Sequence, residues 1–191
     1  KDSGGNATGI TVTDSSENVT INNLAAGTIG SGVTFPGPPS GSNGGHILQF
    51  NSGVYTFTGD SGFSSTSEVF GPVVSMQMIQ ANAKVMGLLT LGEIYSNSSS
   101  GQATMSLAYK TSSFTAAQGN TSHGATVLTG NQCKWRISGT ATASFVLYGT
   151  LSNTANQTIY FAGEGVSPAT RYVNYGGSVT NCTLTVFEVK A

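Results

Sequence analysis

The chain has 191 residues, of which 8% are charged, with a net charge of −1 and 26 Gly. Soluble proteins ordinarily keep about a quarter of their residues charged. This balance points to neither nucleic acid nor an anionic membrane as a partner, and no apolar run approaches the roughly 18 residues that span a bilayer.

Polarity comes instead from Ser, Thr, Asn and Gly. The two His, two Cys and eight carboxylates are scattered, whereas catalysts gather ionisable groups to move protons, hold metals or activate nucleophiles. The composition fits a rigid β-structured surface or fibre protein better than an enzyme. Lys1 opens a polar, Gly-rich stretch without a signal-peptide pattern, which reads as a fragment or processed form. A net charge near zero gives little colloidal repulsion, so a tight oligomer with covered apolar faces is expected.

In chain order, residues 1–45 form a distinct region. Ile10–Thr13 and Asn18–Asn22 alternate apolar and polar residues and read as two short strands around a DSSE turn. Two such strands cannot bury a core alone. Residues 27–45 are rich in Gly, Pro and Ser. Their FPGPP lacks the strict triplet period of collagen and reads as a linker or hinge. From His46 onward the pattern is β throughout. HILQFN and VYTFT read as strands joined near Ser52 and Gly53, and PVVSMQMIQ (Pro72–Gln80) alternates. Lys84–Tyr95 is apolar on both faces at its centre, as a central strand is. Gln102–Lys110 alternates cleanly, TSSFTAAQGNTSHG is a long polar loop, and ATVL, CKWRIS, TASFVLYGTL, QTIYFAGEG and CTLTVFEVK follow. No stretch of ten residues has helical periodicity. The reading is an all-β chain: an N-terminal β stalk and hinge over 1–45, then a jelly-roll β-sandwich head over 46–191.

Two stretches carry a family resemblance. GTIGSGVTFP followed by HILQF resembles the "GSGVTFPAGHVLQ" type of phrase in tail-fibre and appendage proteins of marine, especially cyanobacterial, phages. The C-terminal TNCTLTVFEVKA resembles their closing "STLTVMEIAA" type of strand, and ANAKVMGLLTLGEI stands where they carry a "SSKILVMVNV" type of strand. The linker here, with GPPSGSNGG, is longer than theirs. The head is also similar to the trimeric jelly-roll heads of the tumour-necrosis-factor and complement type. The resemblance implies a bacteriophage tail fibre, spike or knob on the virion surface. It implies a homotrimer, joined to other virion proteins through the N-terminal region, with host attachment through a surface glycan or protein. The alternatives are a non-viral carbohydrate-binding or complement-like adhesion module, and a particle-stabilising appendage without a receptor.

Candidate sites divide by residue type. His46 and His123 have no second ligand at metal spacing, so no metal, no cofactor and no catalytic residue is expected. Asp14 and Glu17 flank a turn. Glu93, Glu164 and Glu188 lie in or beside strands with nothing pairing them as a glycosidase requires, although a depolymerase remains the enzymatic alternative. Cys133 and Cys182 read as two buried free thiols, or as a pair if neighbouring strands bring them together. In KWR, alternation puts Trp135 opposite Lys134 and Arg136, as a core residue or as an interface or receptor-face tryptophan. Arg171, Tyr172 and Tyr175 of RYVNY, followed by Gly-Gly, are placed in or near an exposed recognition loop, against an ordinary strand–loop–strand with half-buried tyrosines. The six Asn-x-Ser/Thr sequons at Asn6, Asn18, Asn97, Asn120, Asn156 and Asn181 follow from composition. They matter only in a eukaryotic secreted protein.

Overall fold

The computed structural model describes residues 46–96 and 102–190, without the side chains of 129–131. The expected N-terminal strands, the hinge, Asp14, Glu17 and the sequons at Asn6, Asn18 and Asn97 lie outside the described residues. All described residues belong to one compact unit, Asn43–Ala191.

Eleven strands form two antiparallel sheets, and no helix occurs among the described residues. In the first sheet β1 (Ile47–Phe57) pairs with β11 (Thr180–Val189), β11 with β4 (Lys84–Ser96), and β4 with β8 (Gly139–Thr150). β10 (Arg171–Asn174) and β2 (Ser61–Phe63) extend this sheet from the end of β4. The second sheet runs β6 (Ala117–Asn120), β3 (Glu68–Gln77), β9 (Thr158–Val166), β5 (Ala103–Lys110), β7 (Thr126–Trp135). Taken by themselves, the eight long strands pair first–eighth–third–sixth and second–seventh–fourth–fifth. That is the jelly-roll order.

Alternation decides which side chains meet between the sheets. Leu89, Leu91, Leu147, Leu184 and Val186 point inward from the first sheet, and Met105, Leu107, Ile159 and Phe161 from the second. Each such side chain contributes about 1.5–3 kcal/mol of burial. The sheets approach closely because glycine stands where a larger residue would collide. A Cβ on Gly163 would meet Leu89 at 3.0 Å and Phe70 at 3.1 Å.

Three sequence expectations change. β1 is one continuous strand, and Gly53 is no turn: it faces Pro72 and Val74, which a Cβ there would meet at 3.0 and 3.2 Å. The polar stretch after β5 folds over the outer face of the second sheet. Its Ala116 packs on Val69, Ala108 and Ala162, and its β6 pairs with β3. RYVN forms strand β10 rather than a loop.

One end of the sandwich is closed by polar side chains. Glu188 continues the inward row Cys182, Leu184, Val186 and is fully buried. Its carboxylate accepts from the backbone N–H of Ile79 (2.9 Å) and Gln80 (2.8 Å) and from Gln49 Nε2 (2.6 Å). Beside it, Asn153 accepts from Ala83 N and donates to Gln80 O and Thr154 O. Turn groups that would otherwise be buried unpaired are thereby satisfied.

Candidate functional site

The opposite end of the first sheet gathers three tyrosines. β4 pairs with β8 in shifted register between Leu91 and Ile94. Both of those residues point inward, and Tyr95 emerges on the outer face. There it stands opposite Thr140 on β8 and Tyr172 on β10. Tyr172 lies between buried Arg171 and Val173 and so faces outward with Tyr95. Tyr175 follows β10 and closes the group. Its ring stacks on Tyr95 with centroids 4.0 Å apart and planes 10° apart, and it lies 4.8 Å from Tyr172.

The loop carrying Tyr175 is braced from below. Asn174 is buried and donates to Gly59 O (2.9 Å) and Ser178 O (2.7 Å), while Thr180 Oγ1 donates to Asn174 Oδ1 (2.8 Å). Gly176 and Gly177 turn at φ of 73° and 71°, a region that favours glycine, and Gly177 N donates to Asp60 Oδ1. A Cβ on Gly62 would meet Tyr172 Cδ1 at 3.1 Å, so glycine there leaves room for the ring. The result is a rigid aromatic surface with phenol hydroxyls. Tyr175 is 37% exposed. Such a surface can stack on an apolar ring face and exchange hydrogen bonds at its rim.

The four residues read from sequence divide. Tyr172 and Tyr175 do come together. Arg171 does not join them: it is fully buried and faces inward from β10, where burial and the Arg136 guanidinium both push its pKa down. Trp135 packs against the core, edge-on to Phe63 at 6.4 Å and tilted against Phe145 at 6.5 Å. Lys134 and Arg136 are exposed beside it. Tyr95, the third member of the group, stands near the end of the long central strand β4.

Among the described carboxylates, Glu188 and Glu164 stand in different sheets, on β11 and β9. Glu188 is engaged as described. Glu164 sits on the outer face of the second sheet beneath the segment after β5. Ser67 Oγ donates to its Oε1 at 2.6 Å, while Oε2 and the nearby Ser106 Oγ are buried without a partner in hydrogen-bond geometry. Burial pushes the Glu164 pKa up, and Ser67, Ser106 and His123 partly offset that. His123 accepts from Ala125 N through Nδ1. No three His, Cys, Asp or Glu side chains come together among the described residues. Both thiols are free. Cys182 stands in β11 opposite Leu91, and Cys133 stands in β7 of the other sheet, donating to Val146 O.

No protein family and no curated protein matches the chain. Among solved structures, dimeric latent PorU from Porphyromonas gingivalis is similar over 78% of this chain at 8% identity and a TM-score of 0.31. The chain spans 14% of that protein's length. A likeness of this size carries no argument.

Proposed function

We propose that this chain is the head of a bacteriophage virion appendage, structural and adhesive rather than catalytic, which assembles as a homotrimer and attaches to a glycan or protein of the host surface. The observation that carries the adhesive reading is the braced tyrosine group of Tyr95, Tyr172 and Tyr175. Preorganised aromatics lose little conformational entropy on binding. The sequence resemblance of GTIGSGVTFP–HILQF and TNCTLTVFEVKA to phage appendage proteins supports the virion assignment. In that setting the region before His46 joins the head to other virion proteins.

The test is adsorption of the purified full chain to candidate host cells and to a glycan array. Saturable binding that survives raised salt is expected, since the surface offers aromatics and amides rather than charge clusters. Absence of adsorption to every host and glycan tried would leave a particle-stabilising part. Binding to free glycans by a monomer unconnected with any virion would favour a detached carbohydrate-binding module.

A further inference from the structure

The outer face of the first sheet carries an apolar patch that the sandwich itself does not cover. Phe50 stands opposite Phe187, Phe187 opposite Met86, and Met86 opposite Tyr148. The four side chains therefore form one line across β1, β11, β4 and β8. Leu88 and Val146 pair in the next line. Phe50 is 66% and Tyr148 54% exposed, far more than core-facing aromatics show. At one end the patch opens into a groove of ≈ 550 Å³ lined by Lys84, Met86, Tyr148 and Val189. At the other it gives way to Thr90, Thr183 and Ser144, which pair across the same strands.

Charge is nearly absent from this face. β1 and β8 carry no charged residue. On β11 and β4, Glu188 points inward and Glu93 lies at the far end, which leaves Lys84 at the rim. Two such faces can meet without desolvating an ion or opposing like charges. With about 4.8 Å between strands and about 3.4 Å per residue, two to three lines across four strands cover roughly 260–390 Å². That is the size at which an exposed apolar patch marks an interaction site. Contributed by two copies, it reaches roughly 500–800 Å², so neighbouring residues of the same face must join it in a stable assembly.

The geometry points to this face, centred on Phe50, Met86, Leu88, Val146, Tyr148 and Phe187, as the surface through which copies of this chain dock on one another. The inference rests on the homotrimer reading and gives it a location. In a closed assembly the patch of each copy turns toward the shared axis, and the tyrosine group occupies the far end of the same sheet.

The test uses the full chain. Its mass is measured by sedimentation across micromolar concentrations, alongside the double variant Phe50→Ser, Tyr148→Ser, whose side chains are mostly exposed in the single chain. The wild type should self-associate, and the variant should do so at least tenfold more weakly with an unchanged circular dichroism spectrum. A second arm places Leu88→Cys in a Cys133→Ser background, where oxidation should cross-link copies through the introduced thiol. A monomeric wild type overturns both this inference and the trimer. An oligomer that the double variant leaves intact, or one in which the Leu88→Cys variant fails to cross-link, overturns this face and leaves assembly standing. A monomer whose patch resists hydrogen exchange would assign the face to residues 1–45 and overturn docking between copies.

Discussion

Tyr95 lies flat against Tyr175, ring centroids 4.0 Å apart, so the end of a central strand supports a ring on a late loop. An aromatic contact of this kind contributes about 0.5–1.5 kcal/mol beyond area burial. Tyr95→Ala should therefore loosen the Tyr175 loop without unfolding the sandwich. The expected outcome is faster amide exchange at residues 175–179, a small fall in Tm and, on the proposed adhesive function, weaker adsorption to candidate host cells. Unchanged adsorption with a loosened loop would show that Tyr175 does not need its support to bind.

Tyr172→Ala combined with Tyr175→Ala removes the surface itself. Adsorption of the folded chain should fall while its oligomeric mass stays constant and its Tm falls only slightly, because Tyr175 faces solvent and Tyr172 is only partly covered. In the proposed homotrimer three copies would multiply weak sites by avidity, so the loss is best read on multivalent cells. Loss of the assembly instead would make these tyrosines part of the contact between copies.

Glu188 offers a stability test. Its carboxylate takes three donors, two of them backbone groups of the β3–β4 turn. Glu188→Ala takes the carboxylate acceptor from these part-buried N–H groups, at about 1–3 kcal/mol each. A loss of about 3 kcal/mol in urea denaturation is expected on that scale, with a smaller one for Glu188→Gln, which keeps an acceptor. A change below about 0.5 kcal/mol, the size of an ordinary surface substitution, would mean that water replaces the carboxylate at this end.

Much of this architecture is legible in the residues. β4 could be read because its apolar centre continues on both faces, as a strand between two neighbours requires. Glu188 could also be placed by parity, since it follows Cys182, Leu184 and Val186 at every second position. The same parity sets Arg171 with Val173 inside, yet the neighbouring Tyr and Gly residues gave the segment the look of a loop. Gly53 could not be read locally. Ser-Gly is a turn signal by composition, whereas this glycine answers to Pro72 across the sandwich. Tyr95 joins Tyr172 and Tyr175 only through the pairing of β4 with β10, which no short-range pattern encodes.

Glu164 makes stability depend on pH. Burial raises its folded pKa above the ordinary 4.5. A carboxyl raised in this way favours the folded state while protonated. Its contribution is fully present below the unfolded pKa and is lost as pH rises through the folded one. Wild-type stability should therefore fall above about pH 4.5, and Glu164→Gln should remove part of that slope. Glu68, also raised by burial, remains in both proteins and cancels in the comparison. Parallel pH profiles for the two would show that the Glu164 carboxylate is solvated in solution.

Gly71 lies close against Cys182 of the facing sheet. Gly71 sits at the irregularity of β3 with φ of 79°, and a Cβ there would meet Cys182 Sγ at 2.7 Å. Two separate costs follow from Gly71→Ala: a left-handed backbone without glycine, about 1–2 kcal/mol, and overpacking against the sulfur, about 1–3 kcal/mol. Cys182→Ala removes the sulfur and leaves the backbone cost. In a double-mutant cycle the pair Gly71→Ala, Cys182→Ala should be less destabilised than the sum of the single variants, by about 1 kcal/mol or more. Burial also pushes the Cys182 thiol pKa up to about 12, which disfavours the reactive thiolate. A Cys133→Ser protein should thus show no thiol reaction with a disulfide reagent until it unfolds. Additive single variants, or rapid labelling of the native Cys133→Ser protein, would mean that the sheets stand further apart at this joint than the packing of Gly71 on Cys182 requires.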